Sequence, residues 1–578
     1  MPGSAAPRLL SAAYLLAVLG FAATVSVLAL RWHLSVPYND DWRLLDDMLR
    51  TPLGSWLFSV QNGHRIPATL LLLYLDQTLA SGRMHLLVAA QIACAWITAG
   101  ILALGLRGAD HPERELRWVL LAFGIFALFW SQSAYNFQWG VNHGSVWTPI
   151  WIFLAVFALA RARDRTLDPG SLRPVLLAAG AAVVATFGHG LGFLTWGALL
   201  AMAAAARMPW RVGAVLAAGA LASIGLYSIG LFHSKTVPIG SGLLLDFLVA
   251  HPGDLIRFVC AFAGAPIGWA LHGLDWVGAP GMLRISTVVG AFAAASACAY
   301  GAVVWRRRAA LPGFAFAGFG LMVFVLGGGL IVGLTRLALF GPAQAVERRF
   351  LSWSTLFWIG GAWALAGLAG GRGARLALAG SLATLSLLML PALFEARAYG
   401  LARDERVQDV ALVLVLGAPL DELLLGVTRQ SPELVRRVAE HLSREKRSPF
   451  DDERSGLAGA PFAERFALAR GEPCGGAPEL RQRIPGGDLV TVRGRLDRDA
   501  AAPAYVVVVD SKGVIRGLGE ERAVPRAEGA GRRWEGVIAG FAPQERYAAY
   551  AVLRDGRSAC RVGEIGQAAG LRAGAPRT

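Results

Sequence analysis

Four carboxylates crowd into one short stretch of a chain otherwise poor in them: Asp40 and Asp41 in Pro37-Tyr38-Asn39-Asp40-Asp41-Trp42, then Asp46 and Asp47. So many anions beside an apolar segment repel one another, and at least one pair must find a cation, a metal or a proton. Adjacent residues point in different directions on a helix or strand, so Asp40 and Asp41 cannot share a proton by themselves. They read as one catalytic group and one helper. The competing reading makes both of them caps at the positive end of an amphipathic helix over 42–50. Asp46 and Asp47 read as part of that helix's solvated face. Later in the same loop, Gln61-Asn62-Gly63-His64-Arg65-Ile66 sets an imidazole beside a guanidinium.

Other polar outliers follow. Trp130-Ser131-Gln132-Ser133-Ala134-Tyr135-Asn136-Phe137-Gln138-Trp139 mixes flat rings with amides. Rings suit sugar C–H faces and amides reach hydroxyls, which makes Trp139, Asn142 and His143 candidate substrate contacts; the rival explanation is an interfacial aromatic belt. His189 stands in Thr186-Phe187-Gly188-His189-Gly190, ahead of Trp196, and three arginines stand at Arg336 and in Ala345-Val346-Glu347-Arg348-Arg349-Phe350. For Arg348 and Arg349 the rival reading is a pair of snorkelling interfacial cations. His233 and Lys235 open a further loop, where one Lys is either a phosphate contact or interface decoration.

The elements that must position these residues are membrane helices. Of 578 residues, 55% are hydrophobic and 16% charged, which excludes an all-soluble protein, a disordered chain and a disulfide scaffold. Charge divides the chain: residues 1–394 hold 26 Lys+Arg and 14 Asp+Glu, residues 395–578 hold 29 and 26. The first part is therefore solvated by lipid and the second by water, and the excess of +15 resides mainly in the membrane part, where basic loops set orientation. Nucleic acid is not an expected partner.

Leu9–Leu30, flanked by Arg8 and Arg31, is longer than a signal peptide's apolar core and reads as a signal anchor. Ten more spans read near 84–106, 117–132, 146–160, 174–188, 190–206, 212–232, 283–305, 311–332, 351–369 and 376–394, giving about eleven. The stretch 67–80 is short and 255–272 is broken by Gly264, Pro266 and Gly268, so both are expected to lie at the surface or re-enter. The loops 107–117, 161–173, 207–211, 306–310 and 370–375 then share one side with Arg8, collecting 15 of the 26 basic residues, Arg306-Arg307-Arg308 among them. That side is expected to be cytoplasmic, and the opposite face receives the Asp40 loop, the other candidate loops and the tail.

An Asp-Asp pair directly after the first of about eleven spans resembles the GT-C glycosyltransferases that use polyprenyl-phosphate-linked sugars. Within them it is similar to bacterial multispanning proteins with an Asn-Asp-Asp-Trp start and an Asn-Glu-His-Arg element. This chain departs at Gly63, where an acid is common, so any role of that acid is absent. The likeness continues at Phe187-Gly188-His189-Gly190 and at Arg336 with Glu347-Arg348-Arg349-Phe350, and covers residues 1–394. It implies that Asp40 takes the acceptor proton while Asp41 positions it or the acceptor. It implies donor-phosphate contacts at Arg65 and Arg349, with His64, Arg336 and Arg348 in reserve, and substrate contacts at Trp42, Trp139, His143 and His189. The sugar would come from a polyprenyl phosphate and go, with inversion, to an envelope glycan or lipid outside the inner membrane. No His-Asp or His-Glu cluster is visible; a divalent ion, Mg or Mn, stays open because the superfamily has members with and without metal.

Residues 395–454 read as a helical linker with amphipathic spacing, as in Leu434, Val435, Val438 and Leu442. From about 486 the period becomes two, in Leu489–Val492, Ala504–Val509, Gly513–Ile515, Trp534–Ile538 and Tyr547–Leu553, so 455–578 reads as a small extracytoplasmic β-sandwich-like domain, for which bracing the membrane part is favoured over binding glycan. Cys474 and Cys560 flank it and could be joined if it lies in an oxidising compartment. Three rivals stand beside the transferase: an envelope glycan polymerase or ligase acting on a polyprenyl diphosphate through paired Arg, a transporter, and a scaffold. The transporter is disfavoured by the lack of internal repeats and of charge at mid-membrane depth.

Overall fold

The computed structural model describes residues 6–107, 114–132, 136–163, 172–230, 250–307, 310–418, 421–469, 474–484, 488–496, 503–522 and 532–565. The candidates His233 and Lys235, the loop residues 133–135 and Arg308 lie outside them. In order, the helices are α1 (Ala6–Arg31), α2 (Asp40–Arg50), α3 (Leu53–Leu57), α4 (Pro67–Leu79), α5 (His85–Arg107), α6 (Arg114–Gln132), α7 (Gly144–Arg163), α8 (Leu172–Thr186), α9 (Leu194–Ala205) and α10 (Trp210–Ser228). They continue as α11 (Pro252–His272), α12 (Ala279–Arg307), α13 (Gly313–Phe340), α14 (Leu351–Leu368), α15 (Arg372–Met389), α16 (Ala392–Val415), α17 (Asp421–Thr428), α18 (Pro432–Arg444) and α19 (Phe462–Arg465).

Among the described residues, nine helices are long and apolar enough to cross a membrane. The difference from eleven has local causes. α6 opens with Arg114, Glu115 and Arg117, and α8 and α9 have only 15 and 12 residues. At 1.5 Å per residue the last two rise about 22 and 18 Å, short of a core about 30 Å thick. Conversely, α11 is one unbroken helix of 21 residues. Its glycines are a seam, not a break: a Cβ on Gly264 would sit 2.0 Å from the Ser286 carbonyl oxygen, and one on Gly290 of α12 would sit 1.7 Å from the Cys260 carbonyl oxygen. Small residues four apart let the two backbones touch, as lipid-solvated helices do.

The helix ends that carry the basic loops adjoin one another. Arg8 pairs with Glu115 at 2.9 Å, and the Arg161 and Arg163 guanidinia donate to the Leu104 and Leu311 carbonyls at 3.4 and 2.8 Å. Arg207 lies 4.3 Å over the Trp305 ring, and Gly367 abuts Pro312 and Ala315. The described helix ends that flank these five loops therefore belong to one face of the helical part.

Contacts divide the chain into two units. The first comprises residues 1–33, 53–73 and 86–400; the second comprises 34–52, 74–85 and 401–578. In the second, β1 (Ala467–Leu468), β2 (Glu479–Ile484), β3 (Leu489–Leu496), β4 (Tyr505–Asp510), β5 (Ile515–Glu521), β6 (Arg532–Ala539), β7 (Tyr547–Val552) and β8 (Ser558–Ile565) form a single sheet in the order β1-β8-β7-β4-β5-β6-β3-β2. The runs read from the sequence fall on β3, β4, β6 and β7, while the run Gly513–Ile515 reaches only the first residue of β5. Cys474 and Cys560 are disulfide-bonded, with Cα atoms 5.6 Å apart. The Cys474 N–H donates to the Arg561 carbonyl at 3.1 Å, so the segment leading into β2 returns beside β8 and the sheet curls. Val506 and Val508 fill the inside of the curl with Trp534 and Val490, while Val507 and Val509 meet Leu412, Val413 and Phe462 on the other face. Burial of both faces explains why β4 reads as an unbroken apolar run.

Candidate active site

In the first unit the site starts from a tight turn. Gln61 and His64 exchange backbone hydrogen bonds at 2.7 and 2.8 Å, and the residues between them, Asn62 and Gly63, have φ of 49° and 75°. Two central residues at positive φ define the Asn-Gly hairpin turn, which gives Gly63 a structural reason to stand where an acid was expected. The Tyr227 hydroxyl brackets the turn, accepting the Arg65 N–H at 3.3 Å and donating to the Gly63 carbonyl at 3.4 Å. Arg65 spends its guanidinium on carbonyls at the ends of α3 and α10: Nε donates to Tyr227 at 2.9 Å, and the Nη atoms reach Phe58, just after α3, and Ile229. A cation at a helix C-terminus offsets the negative end of the dipole.

The turn delivers His64 to a cluster. Its ring stacks on His189 at 5.1 Å, and His189 packs on Trp353 at 4.8 Å. Gly190 lets the backbone pass: a Cβ there would lie 2.1 Å from His64 Nδ1. His189 Nδ1 accepts the Leu191 N–H at 3.1 Å, which assigns the ring proton to Nε2. Burial, reinforced by His64 and Arg336, holds the His189 imidazole well below its ordinary pKa and hence neutral. Arg336 and Arg349 both lean on the Phe350 ring, at 5.7 and 5.2 Å, just where α14 begins. Arg349 Nη2 donates to Gln344 at 2.8 Å, whereas its buried Nε has no hydrogen-bond partner among the described residues. Two guanidinia, two imidazoles and a helix N-terminus thus gather around Phe350 and Trp353, a setting that favours an anion.

The other expected residues of this unit have nearer tasks. Arg348 pairs with Glu395 at 2.7 Å and stacks on Trp269 and Tyr399 at 4.2 and 5.4 Å; Glu395 also lies 3.3 Å from His272 Nε2. Beside it, Trp130, Ser131, Trp269 and Leu351 line a cavity of about 20 Å³, room for one water. Trp139 is half-buried, and Gln91 Nε2 holds the carbonyls of Trp139 and Gly140 at 2.8 and 2.6 Å. His143, expected to touch substrate, is 1% exposed between Thr69 at 3.4 Å and Cys94 at 3.7 Å, a bracing position behind the loop.

The acidic helix belongs to the second unit. At its start the two carboxylates divide: Asp41 is buried and its Oδ2 accepts the Tyr38 N–H at 2.9 Å, while Asp40 is half-buried with no hydrogen bond or ion pair among the described residues. Asn39 turns the chain into the helix at φ 51° without a side-chain cap. Trp42 is 0% exposed, so its indole packs the interior and does not fit a substrate contact. Asp46 corrects the expectation of a solvated face. It is 6% exposed, and its two oxygens accept from Arg437 Nε and Nη2 at 2.8 and 3.0 Å, with Arg50 at 3.2 Å. α2 therefore docks on α18, and of the two later carboxylates only Asp47, half-buried, stays toward the accessible side.

Sequence reasoning missed Tyr227, Trp353 and Arg437, which sit in apolar or charged helices where nothing local distinguishes them. Among the described residues, no group of three or more His, Cys, Asp or Glu is placed to hold a metal ion. No family model, curated protein or solved structure matches the chain.

Proposed function

We propose that the chain is a GT-C-like membrane glycosyltransferase that moves a sugar from a polyprenyl phosphate to a cell-envelope polysaccharide or lipid on the extracytoplasmic face. The observation that carries this reading is the gathering of Arg336, Arg349, His64 and neutral His189 around Phe350 and Trp353. Such a cluster stabilises a leaving phosphate, and Arg349 keeps a donor uncommitted. The acceptor hydroxyl attacks the sugar carbon and the carbon–oxygen bond breaks, the phosphate leaving on its lipid; the resemblance of the Asp40-Asp41 pair assigns the hydroxyl proton to Asp40. Asp41, tied to Tyr38, sets the entry of that helix. Arg65 and Arg348 are assigned to structure, since their guanidinia already meet carbonyls and Glu395.

Orientation has two supports. The helix ends that flank the basic loops share one face, which the charge rule makes cytoplasmic. The Cys474–Cys560 disulfide fits an oxidising compartment for the tail, here the periplasm of an inner-membrane protein.

The test is transfer in membranes at varied donor concentration. Arg349→Ala should raise half-saturation by the donor about tenfold or more and also slow the maximal rate, since phosphate charge grows in the transition state. An unchanged donor dependence would remove Arg349 from the phosphate site. The polymerase or ligase rival uses paired Arg without an essential carboxylate, so it requires Asp40→Ala to stay active.

A further inference from the structure

The carboxylate proposed as base lies on a helix whose orientation is set from far along the chain. The apolar residues Trp42, Leu44 and Leu45 of α2 are buried, and the helix packs on α18. Apolar contact is non-directional, and it leaves rotation and register about the helix axis soft. A two-pronged guanidinium–carboxylate contact is directional. Asp46 supplies one: both of its oxygens are taken by Arg437, 391 residues later, at 2.8 and 3.0 Å. Arg437 itself stands on a well-anchored element. α18 is capped by the Ser431 side chain, which accepts the Leu434 N–H at 3.4 Å, and it buries Val435, Val438, Ala439 and Leu442. Asp40 lies six residues from Asp46 on the same short helix, about 9 Å along its axis. Whatever fixes the turn and register of α2 at Asp46 fixes the direction of Asp40.

We propose that the Asp46–Arg437 fork is a positioning latch through which the C-terminal helix α18 orients the base on α2. This rests on the reading of Asp40 as the base. Neither Asp46 nor Arg437 touches substrate; both act through Asp40, so their loss should affect the chemical step and leave donor binding alone.

The experiment uses the full chain in membranes of a strain lacking its own copy, at matched protein level. Asp46→Asn and Arg437→Gln should each lower the maximal transfer rate about tenfold or more with donor half-saturation unchanged. Arg437→Lys, which keeps charge and loses the fork, should fall between. Exchanging the pair, Asp46→Arg with Arg437→Asp, should return the rate to within about threefold of the parent. A readout independent of transfer is maleimide labelling of Asp47→Cys in a Cys298→Ser background, which should quicken in each single variant and slow again in the exchange. Singles at the parental rate, a shift in donor half-saturation equal to the loss in rate, or an exchange no better than the singles in both assays would overturn the latch. Asp40→Ala run alongside separates the two ideas: if it is inactive while the singles are fully active, the latch fails and the base survives; if it is fully active, the base reading fails and takes the positioning role with it.

Discussion

Gly63 and Gly190 matter for what they lack. Gly63 closes the turn that presents His64, and Gly190 lets the chain pass the His64 ring where a Cβ would lie 2.1 Å away. Gly190→Ala should therefore displace the imidazole, costing about 1–3 kcal/mol of stability and most of the transfer activity. Thermal unfolding in detergent checks it, and adding His64→Ala should recover the stability but not the activity. His189 makes a pH statement. Its folded pKa lies below the unfolded value, so its contribution is present above the unfolded pKa of about 6.5 and is lost as pH falls toward the folded one. Melting temperature should drop from pH 7 to pH 5, and His189→Gln should flatten that step. Residue type alone marked His64, His189, Arg336 and Arg349. It could not rank Asp46 against Asp47, because only a partner 391 residues away separates a buried anchor from a solvated neighbour.

At the scale of elements, glycine spacing was the hardest signal to read. Gly264 and Gly268 suggested a broken stretch, yet facing Ser286 and Gly290 they let α11 and α12 pack backbone to backbone. The same letters spell a break or a seam according to what lies opposite, and a single sequence does not say which. Gly290→Ala should destabilise the helical part by about 1–3 kcal/mol, while Gly180→Ala in α8, with open space around the position, should be neutral or slightly stabilising. Paired thermal melts decide it; equal melts would dissolve the seam. The strands were more legible, since apolar runs mark β3, β4, β6 and β7. Charged β2 at the sheet's edge and polar-flanked β8 gave no such pattern.

For the whole molecule, composition announced a membrane part and a water-solvated part, and charge located the change near residue 394. What it could not announce is that residues 34–52 and 74–85 fold with the tail, because that pairing rests on contacts such as Asp46–Arg437 that span most of the chain. Docking of α2 on α18 requires both to lie on one side of the bilayer. Reporter fusions after Arg307 and at Ser455 should accordingly report cytoplasm and outer side, and a cytoplasmic signal at 455 would move the Asp40 segment with it. Cys474→Ser should abolish the gel shift between reduced and non-reduced protein. The most direct test of the central claim is mass analysis of envelope glycans and polyprenyl-phosphate sugars from a strain lacking the protein, beside one carrying only Asp40→Ala. The transferase account expects one sugar missing from the same glycan in both strains, with its lipid donor accumulating. A glycan changed in the deletion but intact in the Asp40→Ala strain would contradict it and leave the carboxylate without a catalytic role.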